Sequence, residues 1–323
     1  MTAGKRVLVT GGAGFVGATL VRQLVEAGHS VRVLDNYSTG DPAHLDGVPA
    51  EVVEGDIRDE AGIDAAVAGM EAVIHLAAAG SVIKSIEDPV TNFEVNVLGT
   101  FRVLEAARRA GVERIVQAST GGALIGNSTP PVDETSLPKP ISPYGASKLA
   151  GEGYAYAFSQ CYGMRTIALR FGNVYGPWSE RKQGAMNMFF KAIHRGEPIV
   201  IYGDGTSSRD YIHVDDIATA LRLALERDVD GGTVLHISSG VETTVQELAD
   251  LCRRAAGVPD HRIEYRPGRP GEVDRNFASY ELAGKVLGYA PTITREDGIR
   301  RTWQWYTESV FGPPAPDGPV TAG

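Results

Sequence analysis

The run Val7-Leu8-Val9-Thr10-Gly11-Gly12-Ala13-Gly14-Phe15-Val16-Gly17 constrains the fold of this chain more than any other segment. It reads as an apolar strand that turns through glycines spaced three and three into a helix, the setting in which a dinucleotide diphosphate is held. Gly11 permits the tight turn. Gly14 lets backbone approach the diphosphate, and Gly17 allows close helix–strand packing. The helix start at Phe15 and Val16 faces the negative charge. Asp35 ends the next apolar strand, 18 residues after Gly17. An acid there holds ribose hydroxyls and repels a 2′-phosphate, which favours NAD over NADP. Asp56-Ile57 follows a third strand and could bracket the adenine. Leu76-Ala77-Ala78 follows a fourth, where small side chains would let the cofactor lie on the backbone. His75, just before, reads as a structural histidine.

A second signal, Tyr144-Gly145-Ala146-Ser147-Lys148, follows about 130 residues later. Residues i and i+4 share one helix face. A phenol ordinarily titrates near 10. A neighbouring ammonium and an oxidised nicotinamide would both favour the phenolate and make it a base. Ser119 and Thr120 end the preceding strand, and either could orient a substrate hydroxyl. Together the two signals imply hydride transfer.

The surrounding pattern supports a large α/β core. Strands are predicted at Arg6–Thr10, Ser30–Asp35, Glu51–Glu54, Ala72–Leu76, Arg114–Ser119 and Arg165–Arg170. Helical patterns near Phe15–Glu26, Ile63–Met70, Val90–Ala110 and Tyr144–Tyr162 alternate with them. That alternation predicts a doubly wound parallel sheet. It weakens after Tyr175, where helices Met186–Arg195, Val214–Glu226 and Val245–Ala256 and a strand Ile199–Tyr202 are expected. We therefore expect a dinucleotide-binding domain over 1–174, with segments near 210–240 returning to it. A smaller domain is expected over 175–311, and a disordered tail over 312–323. The net charge of −9 argues against a nucleic-acid binder. Cys161 and Cys252 lack metal-type spacing and read as reduced packing residues. No signal peptide or membrane-spanning run is legible, so a cytoplasmic protein is expected.

These motifs resemble the extended short-chain dehydrogenase/reductases, and within them the nucleotide-sugar epimerases and dehydratases. The resemblance runs from Lys5 to about Tyr306. It is carried by GGAGFVG, LDN at Leu34–Asn36, GDIRD at Gly55–Asp59, HLAA at His75–Ala78, NVLGT at Asn96–Thr100, YGASK, RFGNVYGP at Arg170–Pro177 and RDYIHVDD at Arg209–Asp216. It implies a Rossmann-type domain with a smaller C-terminal α/β domain closing over a nucleotide sugar. Asn36 and Asn96 join the cofactor residues through their matched motifs, and Lys148 would hold the nicotinamide ribose. Asn173 would reach the sugar or its diphosphate, and Arg209 and Arg269 would pair with phosphate. Glu272 would take the nucleotide ribose, and Tyr202 would lie against the uracil.

Dehydratases and decarboxylases of this family resemble one another in carrying carboxylates after the fifth strand. Ala118-Ser119-Thr120-Gly121-Gly122-Ala123 has none. The chain therefore looks like a 4-epimerase of a UDP-sugar, working through a transient 4-keto intermediate. Thr120 is the preferred third catalytic residue and Ser119 the second choice. The sugar is UDP-glucuronate or UDP-glucose, with their C4 epimers, and an N-acetylhexosamine stays open. Gly121-Gly122 leave room for a C6 carboxylate that Thr120 with Arg181 or Lys182 could read. A nucleotide-sugar reductase and a non-catalytic NAD-binding sensor are the alternatives. The family often dimerises through the helices near Val90–Ala110 and Tyr144–Tyr162, so a homodimer is expected.

Overall fold

In the computed structural model, residues 4–268 and 274–312 are described. Six strands run in sequence order through the first half: β1 (Arg6–Thr10), β2 (Ser30–Asp35), β3 (Glu51–Glu54), β4 (Ala72–His75), β5 (Arg114–Thr120) and β6 (Arg165–Phe171). Between and after them lie α1 (Phe15–Glu26), α2 (Glu60–Val67), α3 (Val82–Glu87), α4 (Pro89–Phe93), α5 (Thr100–Arg109), α6 (Gly122–Ile125) and α7 (Pro143–Tyr162). The second half adds β7 (Asn173–Tyr175), α8 (Ala185–Arg195), β8 (Ile199–Tyr202), β9 (Ser208–His213), α9 (Val214–Glu226) and β10 (Thr233–Ile237).

Strands β1 to β6 and β10 form one parallel sheet in the order β10-β6-β5-β4-β1-β2-β3. The order reverses between β1 and β4. Ligands of doubly wound sheets bind at such a switch point, beyond the carboxyl ends of the strands. The sheet is covered on both faces, as an all-parallel sheet must be. On one face, Leu20, Val21 and Leu24 of α1 join Ile217, Leu221 and Leu225 of α9 in the main core. On the other, Val103, Leu104 and Ala107 of α5 join Ile63 and Val67 of α2. Each fully buried leucine here contributes about 1.5–3 kcal/mol. Arg114, on β5, ties α9 to the sheet by donating to the carbonyls of Ala224, Leu225 and Arg227.

Several expected boundaries shift. The helix expected from Ile63 begins three residues earlier, after Asp59. The single helix expected over Val90–Ala110 starts at Pro89 on an Asp88 cap and carries a wider turn at Glu94–Gly99. There Gly99 faces the Ile57 side chain, where an added Cβ would stand 2.7 Å from Cδ1. Helix α7 starts at Pro143 because Ser142 caps it, accepting from the Gly145 N–H at 3.2 Å. Strand β10 and the short strands β7 and β9 were not expected; β7 and β9 pair with each other outside the large sheet. Among the described residues no helix is long and apolar enough to cross a membrane.

Candidate active site

The glycine turn is built by close approach. Gly11 takes φ +75°, and a Cβ there would meet the Ala77 nitrogen at 2.7 Å. A Cβ on Gly17 would meet the Gly11 carbonyl oxygen at 2.2 Å. Gly14 is the extended residue that opens α1; no side chain caps the helix and no acid stands in its first turn. The first N–H groups of α1, at Phe15 and Val16, are therefore left to an anion. These features fit a dinucleotide diphosphate.

Asp35 joins this turn at the end of β2. Its Oδ2 accepts from Ala13 N at 2.9 Å and its Oδ1 from Tyr37 N at 2.8 Å. Burial pushes its carboxyl up, and the two N–H bonds oppose that shift. Asn36 donates to Asp56 at 2.8 Å. The Arg58 guanidinium holds Asp56 well below the usual carboxylate range. Leu76, Ala77 and Ala78 line the end of β4 and are partly buried. His75 sits between Thr10 at 2.7 Å and Thr100 at 3.0 Å, and burial pushes it down to about 3. It is a neutral structural ring.

Two residues expected at the cofactor have side chains engaged within the protein. The Ile57 side chain is 5% exposed and belongs to the core around Leu8 and Ile63. Asn96 is buried and fully committed: its Oδ1 accepts from Ala79 N at 2.8 Å, and its Nδ2 donates to Ala79 O and to Ser147 Oγ, both at 3.1 Å. It staples the loop after β4 to α7, a positioning task.

The residues expected to react meet where α7 runs back along β5. Three consecutive strand residues each touch one helix residue. The Ala118 carbonyl accepts from Lys148 Nζ at 3.0 Å. Ser119 Oγ donates to Glu152 Oε1 at 2.6 Å. The Thr120 hydroxyl is hydrogen-bonded to the Tyr144 phenol. Ser119 is thus engaged with Glu152, and Thr120 is the hydroxyl beside the phenol.

Burial pushes Tyr144 up to about 12, with the Thr120 hydrogen bond opposing. Burial pulls Lys148 down to about 8, with the Glu152 carboxylate opposing. The expected lowering of the phenol draws on an oxidised nicotinamide as well as Lys148; the protein's own groups leave it raised. The ammonium lies 6.0 Å from the ring centroid, and desolvation outweighs it. Glu152 itself is locked by Arg170, which donates from Nε at 3.0 Å and from a terminal nitrogen at 2.8 Å. Both side chains are 6% exposed. Sequence reading missed Glu152, although its place four residues after Lys148 marks it on the same face. Arg170 opens the RFGNVYGP motif, which by itself implies no role for it.

The expected substrate residues fall on the second half. Asn173 is exposed at the start of β7, in register with Tyr211 of β9. Arg209, on β9, donates to Ser208 O at 2.8 Å. Tyr202 ends β8, and its hydroxyl is engaged with Arg266. Arg269 and Glu272 lie outside the described residues. Arg181 is spent on Asp41 at 2.7 Å and on Gly40 O at 2.9 Å.

The sequence profile of the NAD-dependent epimerase/dehydratase family matches residues 7–238. A UDP-glucose 4-epimerase of Mycolicibacterium smegmatis is 37% identical over 316 residues, covering 93% of this chain and 98% of that one. The solved UDP-glucose 4-epimerase of Thermus thermophilus, in complex with NAD, superposes with a TM-score of 0.88 at 37% identity, covering 94% and 100%. That of Thermotoga maritima, with UDP-glucose, gives 0.88 at 36%, covering 93% and 98%. The chain belongs to the NAD-dependent epimerase/dehydratase family, and its cofactor is NAD.

Proposed function

We propose that this protein is a 4-epimerase of a UDP-sugar, UDP-glucuronate or UDP-glucose with their C4 epimers. The observation that carries this reading over a dehydratase is the state of Glu152. It is the carboxylate adjoining the Thr120–Tyr144–Lys148 group, and Arg170 and Ser119 hold both its oxygens. Gly121 and Gly122 bring no other acid. Eliminating water needs an acid and a base at that place; moving a hydride needs only the phenol.

Bound at the glycine turn, NAD would supply the acceptor for the hydride of sugar C4 and the donor that returns it to the opposite face. Tyr144 removes the 4-hydroxyl proton and gives it back. Thr120 orients that hydroxyl and stabilises the phenolate by its hydrogen bond. Lys148 contributes its ammonium to the nicotinamide ribose and to the phenolate. Asn173, Arg209 and Arg269 hold the diphosphate, with Tyr202 and Glu272 on the nucleoside. Asp35 and Asn36 hold the adenosine end of the cofactor, beside Asp56.

We place the enzyme in the cytoplasm, in keeping with its free thiols at Cys161 and Cys252, and as a homodimer. Ile86, Val90 and Phe93 are 62%, 64% and 52% exposed along α3 and α4. Phe101 of α5 and Tyr154 of α7 continue that face, with ring centroids 5.3 Å apart. An apolar face of this extent suits a second copy.

The test is to incubate the purified protein, without added cofactor, with UDP-glucuronate and UDP-glucose separately and resolve the C4 epimers. Conversion of either supports the reading and assigns C6. A requirement for added NAD or NADH in turnover would replace it with a reductase. Bound NAD with no sugar turned over would replace it with a sensor.

A further inference from the structure

Residues 178–182 leave β7 in the second half of the chain and lie against the cofactor loops of the first. Trp178 adopts φ +68°, a left-handed conformation costly for a bulky residue. Its ring packs on His44 at 4.9 Å, on the Arg22 guanidinium at 4.9 Å and on Trp305 at 5.6 Å. Glu180 faces His44 Nε2 at 3.5 Å. His44 in turn bonds the Ala13 carbonyl, inside the glycine turn, at 3.0 Å. Arg181 grips Asp41 and Gly40. A Cβ on Gly40 would stand 3.2 Å from Asp35 Oδ1. The segment is thus a strap fastened to the wall that carries Asp35.

Lys182 behaves differently from its neighbours. Its side chain is exposed, yet its ammonium lies deep enough for desolvation to pull it down to about 8. Nζ donates to Val174 O at 2.6 Å and lies 5.8 Å from the ring of Phe15. Phe15 is the first residue of α1. Among the described residues no carboxylate forms an ion pair with Lys182. A cation lacking a counter-charge therefore stands by the side chain of the residue that opens α1, whose first N–H groups no side chain caps. Both features favour an anion.

We infer that Lys182 binds the diphosphate of NAD from the second half of the chain, and that residues 178–181 strap it in place. The inference rests on the glycine turn being the dinucleotide site. It separates Lys182 from the sugar: the residue belongs to cofactor retention, and the C6 group is read elsewhere.

The experiment compares wild type, Lys182→Met and Lys182→Arg, each stripped of NAD, by titration with ADP-ribose and with adenosine. Methionine keeps the aliphatic stem on Phe15, and arginine keeps the charge. Losing one charge-assisted bond should weaken ADP-ribose about tenfold to a hundredfold in the methionine variant. Adenosine, which has no diphosphate, should bind unchanged, and arginine should restore most of the loss. Equal ADP-ribose affinity in wild type and Lys182→Met overturns the inference. So does a defect seen only as a raised KM for the UDP-sugar. A wild type that binds neither ADP-ribose nor NAD removes the dinucleotide site itself, and the inference with it. Should the methionine variant fail to fold, Glu180→Gln with Arg181→Gln gives the second readout. Freeing the strap should speed loss of bound NAD from the holoenzyme, and an unchanged rate of loss overturns the strap.

Discussion

Ser119 gives its hydroxyl to Glu152 at 2.6 Å, while the next residue, Thr120, meets Tyr144, eight residues earlier on the same helix. The two hydroxyls should respond differently to removal. Thr120→Val should lower kcat about tenfold to a hundredfold, the worth of a hydrogen bond to a charged oxygen. Ser119→Ala should leave kcat within a few-fold but cost about 1–3 kcal/mol of stability, because buried Glu152 loses a donor. Steady-state rates and denaturant melts of both variants check this; the reverse pattern would exchange their roles.

Tyr144→Phe should lower kcat by about 10²–10⁴-fold, the usual contribution of a positioned base. The variant should still retain NAD, since the phenol is not among the groups that hold the cofactor. Measuring bound NAD alongside turnover separates lost chemistry from lost binding. Full activity in this variant would sink the mechanism.

These residues also show what a sequence can convey. The bounds of β1, β2, β3 and α1 match the expected ones residue for residue, since apolar periodicity and glycine turns are local. Ser119 and Thr120 could not be told apart, because nothing local says which residue of α7 each hydroxyl meets. Strand β9, SRDYIH, is polar in composition, and it is held as a strand by pairing with β7, with Glu242–Thr244 and with Arg275–Asn276. Helix α3 escaped notice because its Ile83 and Ile86 face outward. The strap was illegible for a different reason: Arg181 and Asp41 are 140 residues apart.

His44 and Glu180 make the strap sensitive to pH. Burial alone would pull His44 down, but its bonds to Glu180 and to Ala13 outweigh that and raise it above 6.5. Burial would push Glu180 up, but the His44 hydrogen bond outweighs it and holds Glu180 below 4.5. The stability His44 adds is complete below 6.5 and is lost as pH climbs through its raised value. The Glu180 share is complete above 4.5 and is lost as pH falls through its depressed value. The melting difference between wild type and His44→Gln should therefore peak between 4.5 and 6.5 and shrink in alkali. A difference independent of pH would refute the pairing.

Two glycines should answer oppositely to alanine. At Gly17 the new Cβ would stand 2.2 Å from the Gly11 carbonyl, so the turn must open. Gly17→Ala should lose bound NAD and melt earlier. At Gly153, within α7, a Cβ meets nothing within 4 Å. Gly153→Ala should gain about 0.5–1 kcal/mol from helix propensity. Thermal melts with an assay of bound NAD decide both.

Val90 is 64% exposed on α4. A glutamate there would bury an unpaired charge in the proposed dimer contact. Val90→Glu should sediment as a monomer where wild type sediments as a dimer, with the melting point of the monomer fold little changed. Identical sedimentation of the two would move the contact elsewhere.

The crossing of α7 over β5 divides labour within the molecule. Tyr144, Lys148 and Glu152 share one rigid rod, and their partners share three adjacent peptide units. Asn173, Tyr202 and Arg209 stand on other strands, β7 to β9. In the proposed enzyme, change among these strand residues would exchange one sugar for another while the hydride chemistry stayed with α7 and β5. The architecture separates what evolution may vary from what it must keep.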